Sequence, residues 1–106
     1  MKISGVDFEG PYDVNSAVIP RNRAAVYVII CLKKDGKNEV IDVGESGEVG
    51  LRIAIHPRRS CWERNCSGTL HVYLRYMPTS EGYDAASRRA LEAKIRREYN
   101  PPCGKI

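Results

Sequence analysis

Two apolar, β-branched runs, Val26 to Leu32 and Glu39 to Val43, flank Lys34-Asp35-Gly36-Lys37. An Asp-Gly step between such runs predicts a β-hairpin. With Asp35-Gly36 as a two-residue turn, Tyr27 faces Gly44 and Asp42 faces Ile29. Side chains alternate along each strand, so Tyr27 and Asp42 point to the same side of the sheet as diagonal neighbours unless a bulge intervenes. Gly44-Glu45-Ser46-Gly47 ends the second strand, and Ser46 is the candidate N-cap of a helix from about Glu48 to His56, stopped by Pro57. On that helix Arg52 and His56 are four residues apart and share a face.

Residues 57 to 68 read as a polar connection anchored by Trp62. Leu70, Val72, Leu74 and Tyr76 then alternate with His71, Tyr73 and Arg75, the pattern of a half-buried strand. After a turn from Pro78 to Gly82, a helix from about Tyr83 to Tyr99 presents Leu91, Ile95 and Tyr99 to a core, and Asn100-Pro101-Pro102 ends it. Residues 1 to 22 carry Gly5, Gly10, Pro11 and Pro20 and read as an irregular lead-in packed on the rest. The expected fold is α+β, a small antiparallel three-stranded sheet flanked by helices. It forms one domain over residues 1 to 106, with the core in 23 to 104.

Composition changes this picture only modestly. Seventeen Lys and Arg against thirteen Asp and Glu give a formal charge of +4, with pairs at Lys33-Lys34, Arg58-Arg59, Arg88-Arg89 and Arg96-Arg97. That suits a polyanionic partner, although solvated basic faces account for so small a charge equally well. No apolar stretch approaches the roughly 18 residues of a membrane span, and Met1-Lys2-Ile3-Ser4-Gly5 does not begin a signal peptide. A cytoplasmic protein without a membrane partner is expected.

Cys31, Cys61, Cys66 and Cys103 lack the paired short spacings of a zinc ribbon or knuckle, Cys61 and Cys66 being the only close pair. Without a secretory signal, free thiols are expected, with Cys31 a small core residue. A zinc-stabilised interaction protein built on the cysteines is the weakest of the readings considered.

Ala25-Val26-Tyr27, Asp42-Val43-Gly44, Arg52-x-x-x-His56 and a late helical Glu92 occur in the order that marks the GIY-YIG nucleases. The chain resembles that family over roughly residues 25 to 104. Ala25 stands for the first glycine of the GIY element, Asp42 for the tyrosine of YIG, and Gly104 where the family keeps an asparagine about twelve residues after its glutamate. Asn100, eight residues after Glu92, does not take that place.

The resemblance implies a metal-dependent endonuclease acting on a nucleic acid phosphodiester, with DNA expected ahead of RNA. Tyr27 is then the nucleophile-activating tyrosine, and Glu92 the ligand of a single Mg2+ or Mn2+ ion. The residue chemistry agrees. Such hydrolysis needs an activated water and cations around the phosphate as charge builds. Arg52 offers an always-charged fork for phosphate oxygens, and His56 can transfer a proton near neutrality. Asp42 joins the catalytic set as a carboxylate facing Tyr27, and Ser46, Arg58 and Arg59 are expected to contact substrate. Glu92 and Arg96 also form an ordinary i, i+4 ion pair. The rival reading is a non-catalytic nucleic-acid-binding module with a degenerate site. So small a domain offers little surface for base readout, so weak specificity, or a partner protein that supplies it, is expected. Gly44-Glu45-Ser46-Gly47-Glu48 lacks the last glycine of a nucleophile elbow, and no Gly-Lys-Ser/Thr follows to make a P-loop.

Overall fold

The computed structural model of the chain describes residues 1–16, 18–20 and 22–104. Two short strands, β1 (Lys2–Ile3) and β2 (Val6–Asp7), pair as an antiparallel hairpin. The main sheet is built from β3 (Glu9–Asp13), β4 (Ala25–Leu32), β5 (Asn38–Ser46) and β6 (Thr69–Tyr76), in the order β3-β6-β4-β5 and antiparallel throughout. Three helices, α1 (Val49–Ala54), α2 (Arg59–Arg64) and α3 (Ala85–Tyr99), complete an α+β domain.

The sheet therefore has four strands, not three. The fourth lies in the supposed irregular lead-in, where Glu9–Asp13 pairs with β6. Gly10 and Pro11 hide it in the sequence, yet an edge strand tolerates a proline because its outward side needs no ladder donor. At the centre, β4 is buried on both faces from Ala25 to Cys31, which is why it reads as an unbroken apolar run.

The two faces carry separate cores. Tyr27, Ile29 and Cys31 of β4 pack with Val72, Leu74, Ile53 and Trp62 beneath α1 and α2. Val26, Val28 and Ile30 pack with Val43, Ile95 and Phe8 beneath α3 and the small hairpin. Helix α3 starts cleanly because Asp84 accepts the Ser87 backbone N–H at 2.8 Å, and it stops at Asn100 in the left-handed region (φ 45°). Its inner face differs from expectation. Ile95 is buried, but Tyr99 is 45% exposed, and Arg88 is buried instead, donating to Glu45 at 2.9 Å.

The hairpin register holds at the site by two departures that cancel. Lys33 and Lys37 close a three-residue loop, with Gly36 left-handed at φ 86°, rather than a two-residue turn. A bulge then leaves Ile41 unpaired between Ile29↔Asp42 and Ile30↔Val40, which shifts the register back by one. Tyr27 faces Gly44 and Ile29 faces Asp42 as the pattern predicts.

The cysteines are not free thiols. Cys31 bonds Cys66 and Cys61 bonds Cys103. The ladder explains the first bond: Cys31 pairs with Leu70 across β4 and β6, which brings the loop before β6 onto the end of β4. All four sulfurs are thereby paired. Among the described residues, no helix is long and apolar enough to cross a membrane.

Candidate active site

Gly44 lets the site form. A Cβ at this position would sit inside the Tyr27 phenol, so only glycine allows the ring to lie across β5. The Tyr27 hydroxyl thereby reaches His56 Nε2 at 2.6 Å, with the two rings edge to face and their centroids 5.6 Å apart.

His56 reaches this position from outside the helix. Helix α1 ends at Ala54, and Ile55 turns the chain away at φ −122°, ψ 38°. The expected shared face of Arg52 and His56 is therefore lost, because Pro57 breaks the helix earlier than the motif spacing suggests. His56 instead folds inward, 4% exposed, between Tyr27 and the Trp62 indole, whose centroid lies 4.6 Å from its own. Its Nδ1 accepts the Arg58 backbone N–H at 3.0 Å. A neutral ring accepting at Nδ1 carries its proton on Nε2, so His56 donates to the Tyr27 oxygen. Burial, reinforced by Arg58, lowers the His56 pKa to about 4, which keeps that ring neutral at pH 7. Burial raises the Tyr27 pKa to about 12, while the Arg52 guanidinium beside the hydroxyl pulls it down.

Asp42 is fully buried and surrounded by donors. Arg58 Nε and Trp62 Nε1 each donate to Oδ2 at 2.8 Å, and Arg96 Nη2 and the Val43 backbone N–H donate to Oδ1 at 2.9 and 2.8 Å. Arg96 also donates to the Val43 and Cys103 carbonyls and, through Nε at 3.3 Å, to Glu92. Arg96 thus bridges α3 to β5 and brings Glu92 to the sheet edge occupied by Asp42. The carboxylate at position 42 acts as a hub for Arg58, Arg96 and Trp62, which leaves it little capacity to orient a water.

Tyr27, His56, Asp42 and Glu92 belong to one chain of contacts, and Arg52 stands exposed at its outer end. Ser46 lines a shallow groove with Arg52, Leu51 and Ile55, although its Oγ already accepts the Glu48 backbone N–H at 3.0 Å. Ser46 precedes α1 without capping it, since Glu48 occupies the N-cap position. Arg58 is held by Asp42, its side chain 31% exposed. Arg59 is tied to the fold, its guanidinium on the Ile53 and Val14 carbonyls and on Asn15, and 5.7 Å from the centroid of the Trp62 ring. The basic pairs are correspondingly split: Arg58, Arg59, Arg88 and Arg96 serve the fold, whereas Lys34, Arg89 and Arg97 are exposed.

Sequence reasoning missed Trp62 as a donor, Arg58 and Arg96 as counterions of Asp42, and α2 altogether. The one available signal was Trp62 itself, a lone indole in a polar stretch, since a buried indole seeks an acceptor. Gly104 was visible only as a missing asparagine. Its role is steric: with φ 75°, a Cβ there would lie 2.7 Å from Arg96 Nη2 and 2.8 Å from Asp42 Oδ1. Among the described residues, no three His, Cys, Asp or Glu side chains converge to hold a metal ion. No protein-family model, curated protein or solved structure matches the chain.

Proposed function

We propose that this protein is a GIY-YIG-like endonuclease that hydrolyses nucleic acid phosphodiesters, DNA ahead of RNA. The observation that carries the reading is the Tyr27–His56 hydrogen bond at 2.6 Å with the exposed Arg52 guanidinium beside the same hydroxyl. A phenol, an imidazole and a free cation at one point are what anchoring and attacking a phosphodiester require.

Arg52 holds the non-bridging phosphate oxygens. Tyr27 stays protonated in the resting protein, its hydroxyl oriented by the His56 Nε2–H, and places the attacking water by hydrogen bonding. Asp42 positions Arg58 and Arg96, while Lys34, Arg89 and Arg97 offer exposed charge to a polyanion. A divalent ion, Mg2+ or Mn2+, supplies Lewis-acid stabilisation of the phosphate and leaving oxygen when bound. Glu92 is the residue that would hold it. One carboxylate with an oxygen beyond its Arg96 contact suffices for Mg2+, which takes its remaining ligands from water and substrate phosphates.

The burial of Asp42 and Tyr27, 0% and 1% exposed, favours a second reading, a nucleic-acid-binding module without turnover. Incubation with supercoiled DNA and structured RNA separates the two. A nuclease cuts with Mg2+ or Mn2+, stops in chelator and resumes when metal is restored. Binding that fades with salt, without cleavage of either substrate in the presence of metal, establishes the module instead.

A further inference from the structure

The segment Pro101–Gly104 runs from the end of α3 back across the edge of β5 and forms a strap over Asp42. Its Cys103 backbone N–H donates to the carbonyl of the bulged Ile41 at 3.0 Å, and its Cys103 carbonyl accepts from Arg96 Nη1 at 3.2 Å. Gly104 lies against Asp42, Arg58 and Arg96 so closely that no side chain fits there. The strap is fastened at one point to α2, by the Cys61–Cys103 disulfide, and Cys61 directly precedes Trp62. Helix α2 in turn carries Trp62, and its N-cap Arg58 supplies both the guanidinium on Asp42 and the backbone N–H on His56.

We propose that the Cys61–Cys103 disulfide is a redox lock on the site: closed, it clamps strap and α2 together over Asp42, and reduced, it lets both move and disperses the cluster. In the opening step a thiolate of a dithiol reductant attacks the disulfide, the S–S bond breaks, and the reductant's second thiol resolves the mixed disulfide. Two electrons and two protons pass to Cys61 and Cys103, and the reductant closes into its own disulfide. Closing reverses the exchange: a disulfide oxidant is attacked by one thiolate, the second displaces it from the mixed disulfide, and it leaves as the dithiol, so in a reducing compartment the oxidant gives the lock its signal.

The other disulfide supplies the control. Cys31–Cys66 spans 35 residues and Cys61–Cys103 spans 42, so the two restrict the unfolded chain almost equally. Cys31–Cys66 ties the hairpin end of β4 to the residue that follows the C-cap of α2, so it holds α2 on the sheet but does not hold the strap. The proposal builds on the nuclease reading, so the experiment has a readout that does not depend on cleavage. The His56 imidazole is titrated by NMR in four samples: the oxidised protein, the protein reduced with dithiothreitol, Cys31→Ser/Cys66→Ser and Cys61→Ser/Cys103→Ser. Cleavage of supercoiled DNA is followed in parallel.

The oxidised protein and Cys31→Ser/Cys66→Ser should keep His56 neutral down to pH 5. The reduced protein and Cys61→Ser/Cys103→Ser should show it titrating near its ordinary value and cleave at least tenfold more slowly. If Cys61→Ser/Cys103→Ser does not fold, Cys31→Ser/Cys66→Ser reduced with dithiothreitol, where Cys61–Cys103 is the bond that opens, should give the same His56 shift. Unchanged His56 behaviour in every folded sample overturns the lock, and so does an equal change in the two cysteine-pair variants. A selective His56 change without cleavage by any sample retains the lock and rejects the nuclease.

Discussion

The Trp62 indole N–H donates to Asp42 Oδ2 at 2.8 Å while the face of the same ring rests near the His56 imidazole. One side chain therefore orients both the buried carboxylate and the buried histidine. Arg58 repeats the arrangement with different atoms, giving its guanidinium to Asp42 and its backbone N–H to His56. The Asp42 and His56–Tyr27 halves of the cluster are joined through α2, although the two halves come from different strands and a loop.

Trp62→Phe keeps a ring against His56 and removes the donor to Asp42. A fully buried acceptor that loses a donor costs about 1–3 kcal/mol. Urea denaturation followed by circular dichroism should show that loss, with the denaturant slope unchanged. A variant as stable as the parent would mean that Arg58, Arg96 and the Val43 amide satisfy Asp42 without the indole.

Gly44→Ala places a methyl where the Tyr27 ring lies. Overpacking of this kind typically costs about 1–3 kcal/mol, and here the ring must move to relieve it. The melting temperature should fall, and the Tyr27–His56 hydrogen bond should be lost, so that the His56 ring signals shift in NMR. Unmoved His56 signals would show that β5 yields rather than the tyrosine.

The legible parts of this fold are those where burial and polarity agree. Strand β4 is apolar because both its faces are covered, and β6 alternates because Val72 and Leu74 point inward while His71 and Arg75 do not. The Tyr27–Gly44 pairing was predicted correctly from a wrong turn, because the bulge at Ile41 offsets the longer loop. The illegible parts are those where charged residues do the packing. Arg88, Glu92 and Arg96 look like a solvated helix face, yet they close over β5 because Glu45 and Asp42 wait there. Helix α2 offers one apolar anchor, Trp62, within Arg58, Arg59, Glu63 and Arg64, too little for a periodic signal. The cysteine pairing depends on strand order, which spacing alone does not reveal.

The buried, neutral His56 makes stability depend on pH in a defined direction. Its pKa falls from 6.5 in the unfolded chain to about 4 in the folded one, so between those values the unfolded state binds more protons. Stability therefore rises with pH across this window, and the contribution is lost as pH drops from 6.5 toward 4. Its full size is about 3 kcal/mol. His56→Gln should flatten that part of the profile when unfolding free energies are measured at half-unit pH steps. Parallel profiles for parent and variant would show that His56 is protonated in the folded protein.

Arg52 is the member of the cluster whose removal separates chemistry from folding. It is exposed, whereas Tyr27, Asp42 and His56 are buried and Arg58 and Arg96 are tied to Asp42, so truncating any of those also disturbs packing. Arg52→Ala should change stability by no more than about 0.5 kcal/mol, as surface substitutions do. If Arg52 carries charge developing on a phosphate, its loss should slow cleavage about a hundredfold or more. Arg52→Lys should restore little of this, because an ammonium lacks the planar fork. Steady-state cleavage of supercoiled DNA with saturating metal, beside thermal unfolding of the same samples, reads both quantities. Equal rates for Arg52→Ala and the parent would remove Arg52 from the site, leaving the Tyr27–His56 pair a feature of the core alone.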